Sequence, residues 1–118
     1  MQWIEATDES LLNLSVLTLG EIRKGIDSLP HRSRRIALES WLIHDLAIRF
    51  ANRILVIDQA VADRWGRIAA KAHAAKQPLP VIDGMLAATA LHHNLTLVTR
   101  NAKDVAMTGV PLFDPWIS

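Results

Sequence analysis

Three acidic residues, Glu21, Asp83 and Asp104, stand far apart in the chain but in similar local settings. Each follows a short apolar run that ends where a turn or helix is predicted to begin. In an open parallel sheet this position lies at the carboxyl edge of the strands, where ligand sites are built, so we expect the three carboxylates to meet in one cleft. Clustered carboxylates repel one another and therefore need a cation. Mg²⁺ or Mn²⁺ would fit, because these ions prefer oxygen ligands and keep waters for substrate phosphates.

A divalent ion held in this way would suit the hydrolysis of a phosphodiester. Such an ion makes a water molecule more nucleophilic and neutralises charge on the phosphate. We expect Glu21 and Asp83 to lie in the first turn of their helices, where the helix dipole favours an anion. Gly25 and Ala87 follow them at a spacing of four residues, and small side chains there leave room for a substrate backbone.

The same acidic residues also have purely structural interpretations. Glu21 could pair with Lys24 on an exposed helix face. Asp83 could stabilise the first turn of a helix, and Asp104 could cap a short one. Whether the three residues share one site or have three independent structural roles therefore depends on where the fold places their side chains.

For the other polar residues the sequence mainly indicates structural roles. Asp58 ends an apolar run but precedes a helix, whose amino end we expect it to cap. His92 and His93 are adjacent and would point about 100° apart on a helix, so they do not form a helical metal pair. The segment 31–35 holds the densest positive charge of the chain. It suits a solvated helix start, and it could alternatively hold nucleic-acid phosphates.

Composition limits the class of protein. The chain has 118 residues, of which 50% are apolar, and this suits a single domain over residues 1–118. A formal charge of +1 means that any nucleic-acid binding depends on local basic patches. Cysteine is absent, which excludes disulfides and thiolate metal sites and suits a reducing compartment. No apolar stretch is long enough to span a membrane, and we expect a cytoplasmic protein.

Short apolar runs alternate with stretches of helical periodicity. This alternation predicts an α/β fold with a central parallel sheet covered by helices on both faces. The predicted strands are residues 12–17, 54–57, 96–99 and 110–113. Helices are predicted from Thr18 to the Leu29-Pro30 pair, over about 33–50, from Asp58 to Gln77, and over 82 to about 93. In the second helix an apolar stripe is marked by Ile36, Ile43, Leu46 and Phe50.

Three segments of the chain resemble one protein family. They are Leu14–Gly25 (LSVLTLGEIRKG), Val81–Ala90 (VIDGMLAATA) and Leu97–Asp104 (LVTRNAKD). In composition, order and spacing they look like the VapC-type toxins of the PIN-domain ribonucleases. The resemblance implies a three-layer α/β/α PIN-like fold, Mg²⁺-dependent cleavage of RNA, a cognate antitoxin and a homodimer.

The resemblance also implies roles for individual residues. It places Glu21, Asp83 and Asp104 at acidic positions of the metal site, which are also the catalytic positions. Thr99 and Asn101 fall at the same edge, as substrate-binding residues.

The amino end departs from the family pattern. Members of the family begin with a strand that ends in a Leu-Asp-Thr-Asn-like segment and supplies a principal metal ligand. This chain begins without that segment, and residues 1–6 resemble the tail of the helical region that normally follows, so we expect a PIN-like domain truncated at its amino end. Loss of one carboxylate weakens a metal site. An alternative is therefore a catalytically inactive remnant that binds an antitoxin or dimerises without cleaving RNA.

Overall fold

The computed structural model describes residues 12–99 and 101–114 of the chain. The expected resemblance of residues 1–6 to a helix tail lies outside this part of the protein. The described residues form two compact units, one that ends at Val56 and one that begins at Ile57.

The first unit contains a pair of parallel strands with helices between them. Strand β1 spans Leu14–Ser15 and pairs with β2, Ile54–Leu55, so that Leu14 lies opposite Ile54. Parallel strands require a long crossover connection, which here consists of helices α1 (Val16–Asp27), α2 (Arg32–Ser40) and α3 (Ala47–Arg49), with a π-helical segment, Trp41–Leu46, between α2 and α3.

Helix α1 begins two residues earlier than predicted. Ser15 is its N-cap, and the Ser15 Oγ accepts a hydrogen bond of 3.0 Å from the Leu17 N–H. A serine in this position satisfies an amide that the first turn leaves without a helical partner. The predicted strand over residues 12–17 is therefore wrong at its carboxyl end, because the capping serine starts the helix within the apolar run.

The π-helical segment changes which side chains of the second helical stretch face the core. Leu42 and Phe50 are buried, whereas Ile36 and Ile43 are 58% and 46% exposed. The wider turn of this segment changes the helical phase between Ile36 and Phe50, so a period of 3.6 no longer places these residues on one face. The predicted apolar stripe is therefore correct for Phe50 and wrong for the two isoleucines.

An exposed ion pair joins helices α1 and α2. The Arg23 Nη1 lies 2.8 Å from the Glu39 Oε2 and 3.6 Å from the Asp27 Oδ1. The hydrogen bond to Glu39 is the main cause of the raised pKa of Arg23. Because these side chains are exposed to water, the pair contributes little to stability.

The second unit contains two long helices and the other pair of parallel strands. Strand β3 (Leu97–Val98) pairs with β4 (Leu112–Phe113), and the Leu97 N–H donates to the Pro111 carbonyl at 2.8 Å. The helices of this unit are α4 (Gln59–Ala74), α5 (Val81–His92) and the short α6 (Ala102–Val105), which continues as a 3₁₀ turn, Ala106–Thr108.

Helix α5 is buried because alanine side chains allow close packing on two sides. On one side Ala88 packs with Val61 and Ile68 of α4, and Trp65 adds its ring to this cluster. Another cluster brings Ala87 and Ala90 against Val110, with the leucines of both strands around them. Small side chains let neighbouring backbones approach, so the carboxyl-terminal half of α5 packs closely between α4 and the strands.

Both long helices of the second unit end in the same backbone motif. After α5, Asn94 adopts a left-handed conformation (φ 56°), and the Leu95 N–H donates to the Ala90 carbonyl at 2.8 Å. This confirms the predicted left-handed cap at Asn94. After α4, Lys76 has the same φ of 56°, and the Gln77 N–H donates to the Ala72 carbonyl at 2.9 Å.

Lys76→Gly is expected to raise the free energy of unfolding by about 0.5–1 kcal/mol, because glycine adopts a left-handed conformation without the steric penalty of a Cβ. Urea denaturation followed by circular dichroism would measure the change. The matched control is Ala70→Gly, an exposed position inside α4, where glycine should cost about 1 kcal/mol. Equal losses of stability in both variants would contradict the left-handed assignment.

The α/β class predicted from the sequence is confirmed, with parallel strands and helices that connect them. Among the described residues, no helix has the length and apolar character needed to cross a membrane.

Candidate active site

Asp83 lies in the first turn of helix α5, as predicted, and is half-buried. The helix begins directly after Pro80, whose carbonyl accepts a hydrogen bond of 2.9 Å from the Gly84 N–H. A Cβ added at Gly84 would lie 3.1 Å from the Trp65 ring atoms Cδ1 and Nε1. The absence of a side chain at Gly84 thus lets the first turn of α5 pack closely on α4, which holds the backbone of Asp83 in place.

Asp104 lies on the short helix α6, which follows strand β3 after a tight turn. Thr99 begins this turn, and its Oγ1 accepts a hydrogen bond of 3.0 Å from the Asn101 N–H. Asn101 is the N-cap of α6 but makes no capping hydrogen bond with its side chain. Asp104 is exposed and belongs to the helix itself, so the alternative role of Asp104 as a helix cap is wrong.

The topology of the second unit places Asp83, Thr99 and residues 101–104 on the same side. Helix α5 packs against both β3 and α6. A strand that follows a helix through a short turn and packs on it runs back along that helix. The carboxyl end of β3, with Thr99, therefore lies towards the amino end of α5, with Asp83.

Glu21 lies in the first unit, on helix α1, and its side chain is exposed. The prediction that it occupies the first turn is wrong, because the helix begins at Val16 and Glu21 falls in the second turn. Its alternative role, an ion pair with Lys24, is absent: within the described part of the chain Glu21 forms no ion pair.

The donors on the second unit are of the kind that Mg²⁺ and Mn²⁺ prefer. Asp83 and Asp104 offer carboxylate oxygens, while Thr99 and Asn101 add a hydroxyl and an amide oxygen. Residues 12–99 and 101–114 contain no group of three or more His, Asp or Glu side chains placed together to hold a metal ion. The expected meeting of Glu21, Asp83 and Asp104 in one cleft is therefore not seen among the described residues, although the donor types of the second unit suit a hard divalent cation.

The remaining polar residues named by the sequence lie at the ends of helices. Asp58 is the N-cap of α4, and its Oδ1 accepts a hydrogen bond of 2.9 Å from the Val61 N–H, as predicted. His92 and His93 meet edge to face, with ring centroids 5.0 Å apart. The 31–35 segment is the start of α2, whose N-cap His31 makes no side-chain capping bond.

Sequence analysis missed a basic groove in the second unit. Its volume is about 530 Å³, and its lining includes Arg64, Arg67, Ile68 and Lys71 of α4 together with Leu91 and His92 of α5. The signal was present in the sequence, since positions 64, 67 and 71 share one face of a helix. The contribution of α5 could not be anticipated because it depends on how the two helices cross.

The helix-rich α/β fold with parallel strands has known relatives. The model of the PIN domain family matches residues 1–106 of the chain. The toxin FitB of Neisseria gonorrhoeae is 31% identical over 114 residues, which cover 97% of this chain and 82% of FitB. Ribonuclease VapC4 of Mycobacterium tuberculosis is 36% identical over 97 residues, which cover 82% of this chain and 72% of VapC4.

A solved structure is similar over nearly the whole chain. The crystal structure of FitAcB from Neisseria gonorrhoeae has a TM-score of 0.93 at 30% identity, with 98% of this chain and 83% of that chain covered. The chain belongs to the PIN domain family, and the predicted resemblance is confirmed.

Proposed function

We propose that this protein is a Mg²⁺- or Mn²⁺-dependent endoribonuclease toxin of a type II toxin–antitoxin system. The observation that carries the proposal is its membership of the PIN domain family, with relatives named as a ribonuclease and as a toxin. The topology of the second unit supports it, because Asp83, Thr99 and residues 101–104 lie towards the same end of α5.

In this proposal Glu21, Asp83 and Asp104 are the catalytic residues that hold the metal ion. The ion would activate water and neutralise charge on the phosphate. Asp83 lies where the helix dipole lowers the cost of bringing negative charge together, and the packing of Gly84 on Trp65 keeps that turn rigid.

Thr99 and Asn101 would bind the substrate. The Thr99 oxygen already accepts the Asn101 N–H, so the hydroxyl orientation is constrained and its hydrogen can donate to a phosphate oxygen. The Asn101 side chain makes no capping bond, which leaves its amide to contact a nucleotide.

Incubation of the purified protein with a structured RNA that also contains single-stranded loops tests the proposed activity. Internal cleavage is expected in Mg²⁺ or Mn²⁺ and is expected to stop when EDTA removes the ion. Denaturing gel electrophoresis with an end-labelled RNA would separate internal cuts from trimming at the ends. Cleavage that continues unchanged in EDTA would contradict the metal-dependent mechanism, and a folded protein that cuts no RNA would contradict the activity.

The proposal includes protein partners. Ile36, Ile43 and Ile48 are 58%, 46% and 65% exposed on the helical stretch of the first unit, and large exposed apolar side chains favour covering by another protein. We assign this surface to a cognate antitoxin, in line with the relative named a toxin. A homodimer and a cytoplasmic location are further parts of the same proposal. Size-exclusion chromatography with light scattering would report the dimer.

A further inference from the structure

The basic groove in the second unit lies at the other end of helix α5 from Asp83, and its lining also includes Thr108, four residues after Asp104. Its residues on α5 are Leu91 and His92, at the carboxyl end of the helix, whereas Asp83 lies in the first turn. Nine residues of helix separate Asp83 from His92, which corresponds to about 14 Å along the helix axis. The groove and Asp83 therefore occupy opposite ends of the same rigid helix.

The groove carries a surplus of positive charge. Arg64, Arg67 and Lys71 are exposed, and Asp63 is the one carboxylate that joins them in the lining. Arg67 binds that carboxylate, with Nε 3.1 Å from the Asp63 Oδ2. Arg64 and Lys71 form no ion pair with any described residue, so their charges are available to an anion.

The spacing of the cations suits a chain of anionic groups better than a single ion. From Arg64 to Lys71 the backbone rises by about 10 Å along α4. Arginine guanidinium groups present fixed pairs of donors that match phosphate oxygens, and lysine adds a mobile point charge. A row of cations over this length can contact successive phosphates of one strand.

The lining of the groove also includes apolar and aromatic side chains on which nucleic-acid bases could pack. Ile68 is buried beneath the charged side chains, and Leu91 and the His92 ring are half-buried beside it. Nucleic-acid bases stack on imidazole rings and pack on apolar side chains, in addition to their phosphate contacts. Cations in a row match the regular phosphates of a nucleic-acid strand, and the His92 ring beside Ile68 gives a base a stacking surface, so the lining favours a single-stranded nucleic acid.

We propose that the basic groove binds the phosphate backbone of single-stranded RNA at the end of α5 that lies away from Asp83. The choice of RNA rests on the proposed function. The groove would thus retain the RNA at one end of α5, while the proposed cleavage site lies at the other end.

The proposal predicts that the triple variant R64Q/R67Q/K71Q binds a labelled single-stranded RNA about tenfold more weakly, because three phosphate contacts are lost. The plot of log affinity against log salt concentration is expected to become less steep by about 2, at about 0.7 per contact with a single strand. Fluorescence anisotropy in EDTA measures this binding without cleavage. Because binding is measured without cleavage, loss of RNA binding in the groove can be told apart from loss of the proposed cleavage activity.

The matched control is K24Q/R32Q/R34Q, which removes three exposed positive charges from the first unit, two of them from the 31–35 segment whose alternative role is to hold nucleic-acid phosphates. Its affinity and salt dependence are expected to change much less than those of the groove variant. Circular dichroism melts of both variants establish that each is folded, and the single variant R64Q, at an exposed position, should show a smaller loss of the same kind. Equal losses in the groove and control triples would overturn the proposal, because net charge alone would then explain the binding.

A polyglutamate peptide tests the competing occupant, an acidic protein segment. The groove variant is expected to lose affinity for RNA by a larger factor than affinity for polyglutamate at the same salt concentration. Loss of polyglutamate binding with RNA binding unchanged would overturn the proposal in favour of an acidic protein partner.

Discussion

Replacing Asp83 with asparagine is expected to lower the rate of RNA cleavage on the order of 100-fold or more, because substitution of residues that merely orient metal ligands already costs about 10–100-fold. Asparagine has nearly the same shape but no charge, so the backbone of α5 should be retained while affinity for the ion falls. Calorimetric titration with Mn²⁺ would measure the affinity directly. Cleavage assays across a range of Mg²⁺ concentrations would show whether excess ion restores part of the rate.

The matched control for this change is Asp58→Asn. Asp58 caps helix α4 through a hydrogen bond to the Val61 N–H, and asparagine caps helices about as well as aspartate. This variant is therefore expected to bind the ion and cleave RNA as the parent protein does. A greater loss of Mn²⁺ affinity in Asp58→Asn than in Asp83→Asn would refute the assignment of Asp83 as a ligand.

Phe50→Ala is expected to lower the free energy of unfolding by about 3–5 kcal/mol, the usual cost of removing a buried aromatic side chain. Phe50 is 7% exposed, and the guanidinium carbon of Arg53 lies 4.7 Å from its ring centroid. Arg53 in turn donates to the Leu12 carbonyl at 3.0 Å, just before β1. Loss of the ring therefore removes core packing and also the support of an arginine that holds the start of β1.

Urea denaturation of the parent and the Phe50→Ala variant would measure this loss. Because domains of this size are stable by only about 5–15 kcal/mol, the change should be visible as a large shift in midpoint. Ile48→Ala is the control, since Ile48 is 65% exposed and surface substitutions usually alter stability by less than about 0.5 kcal/mol. Similar midpoints for the two variants would show that Phe50 does not anchor the first unit.

Local signals in the sequence were reliable where the interaction is between near neighbours. The cap at Asp58 and the left-handed Asn94 were predicted correctly, because both depend on a few consecutive residues. Ser15 was predicted correctly as a strand residue, but it also caps helix α1, so Val16 and Leu17 were wrongly assigned to the strand. Its apolar neighbours dominated the pattern, and the choice between a strand and a helix there depended on how much of the run could pair with β2.

The second helical stretch shows where periodicity alone fails. A period of 3.6 predicted that Ile36 and Ile43 face the core, but both are exposed. The π-helical segment Trp41–Leu46 alters the helical phase in between. Such a segment arises from the packing of the surrounding helices, so it has no clear signature in the order of apolar residues.

The sequence by itself determined the α/β class, the family and the acidic positions. Short apolar runs that alternate with helical periodicity indicate the class, and the three segments that resemble the family indicate the family and the acidic positions. The tertiary structure decided which side chains share a surface. The basic groove exists only because α4 and α5 cross with small side chains between them, and the close contact of Gly84 with Trp65 joins residues nineteen positions apart. Contacts of this kind depend on packing in three dimensions, which residue order constrains only indirectly.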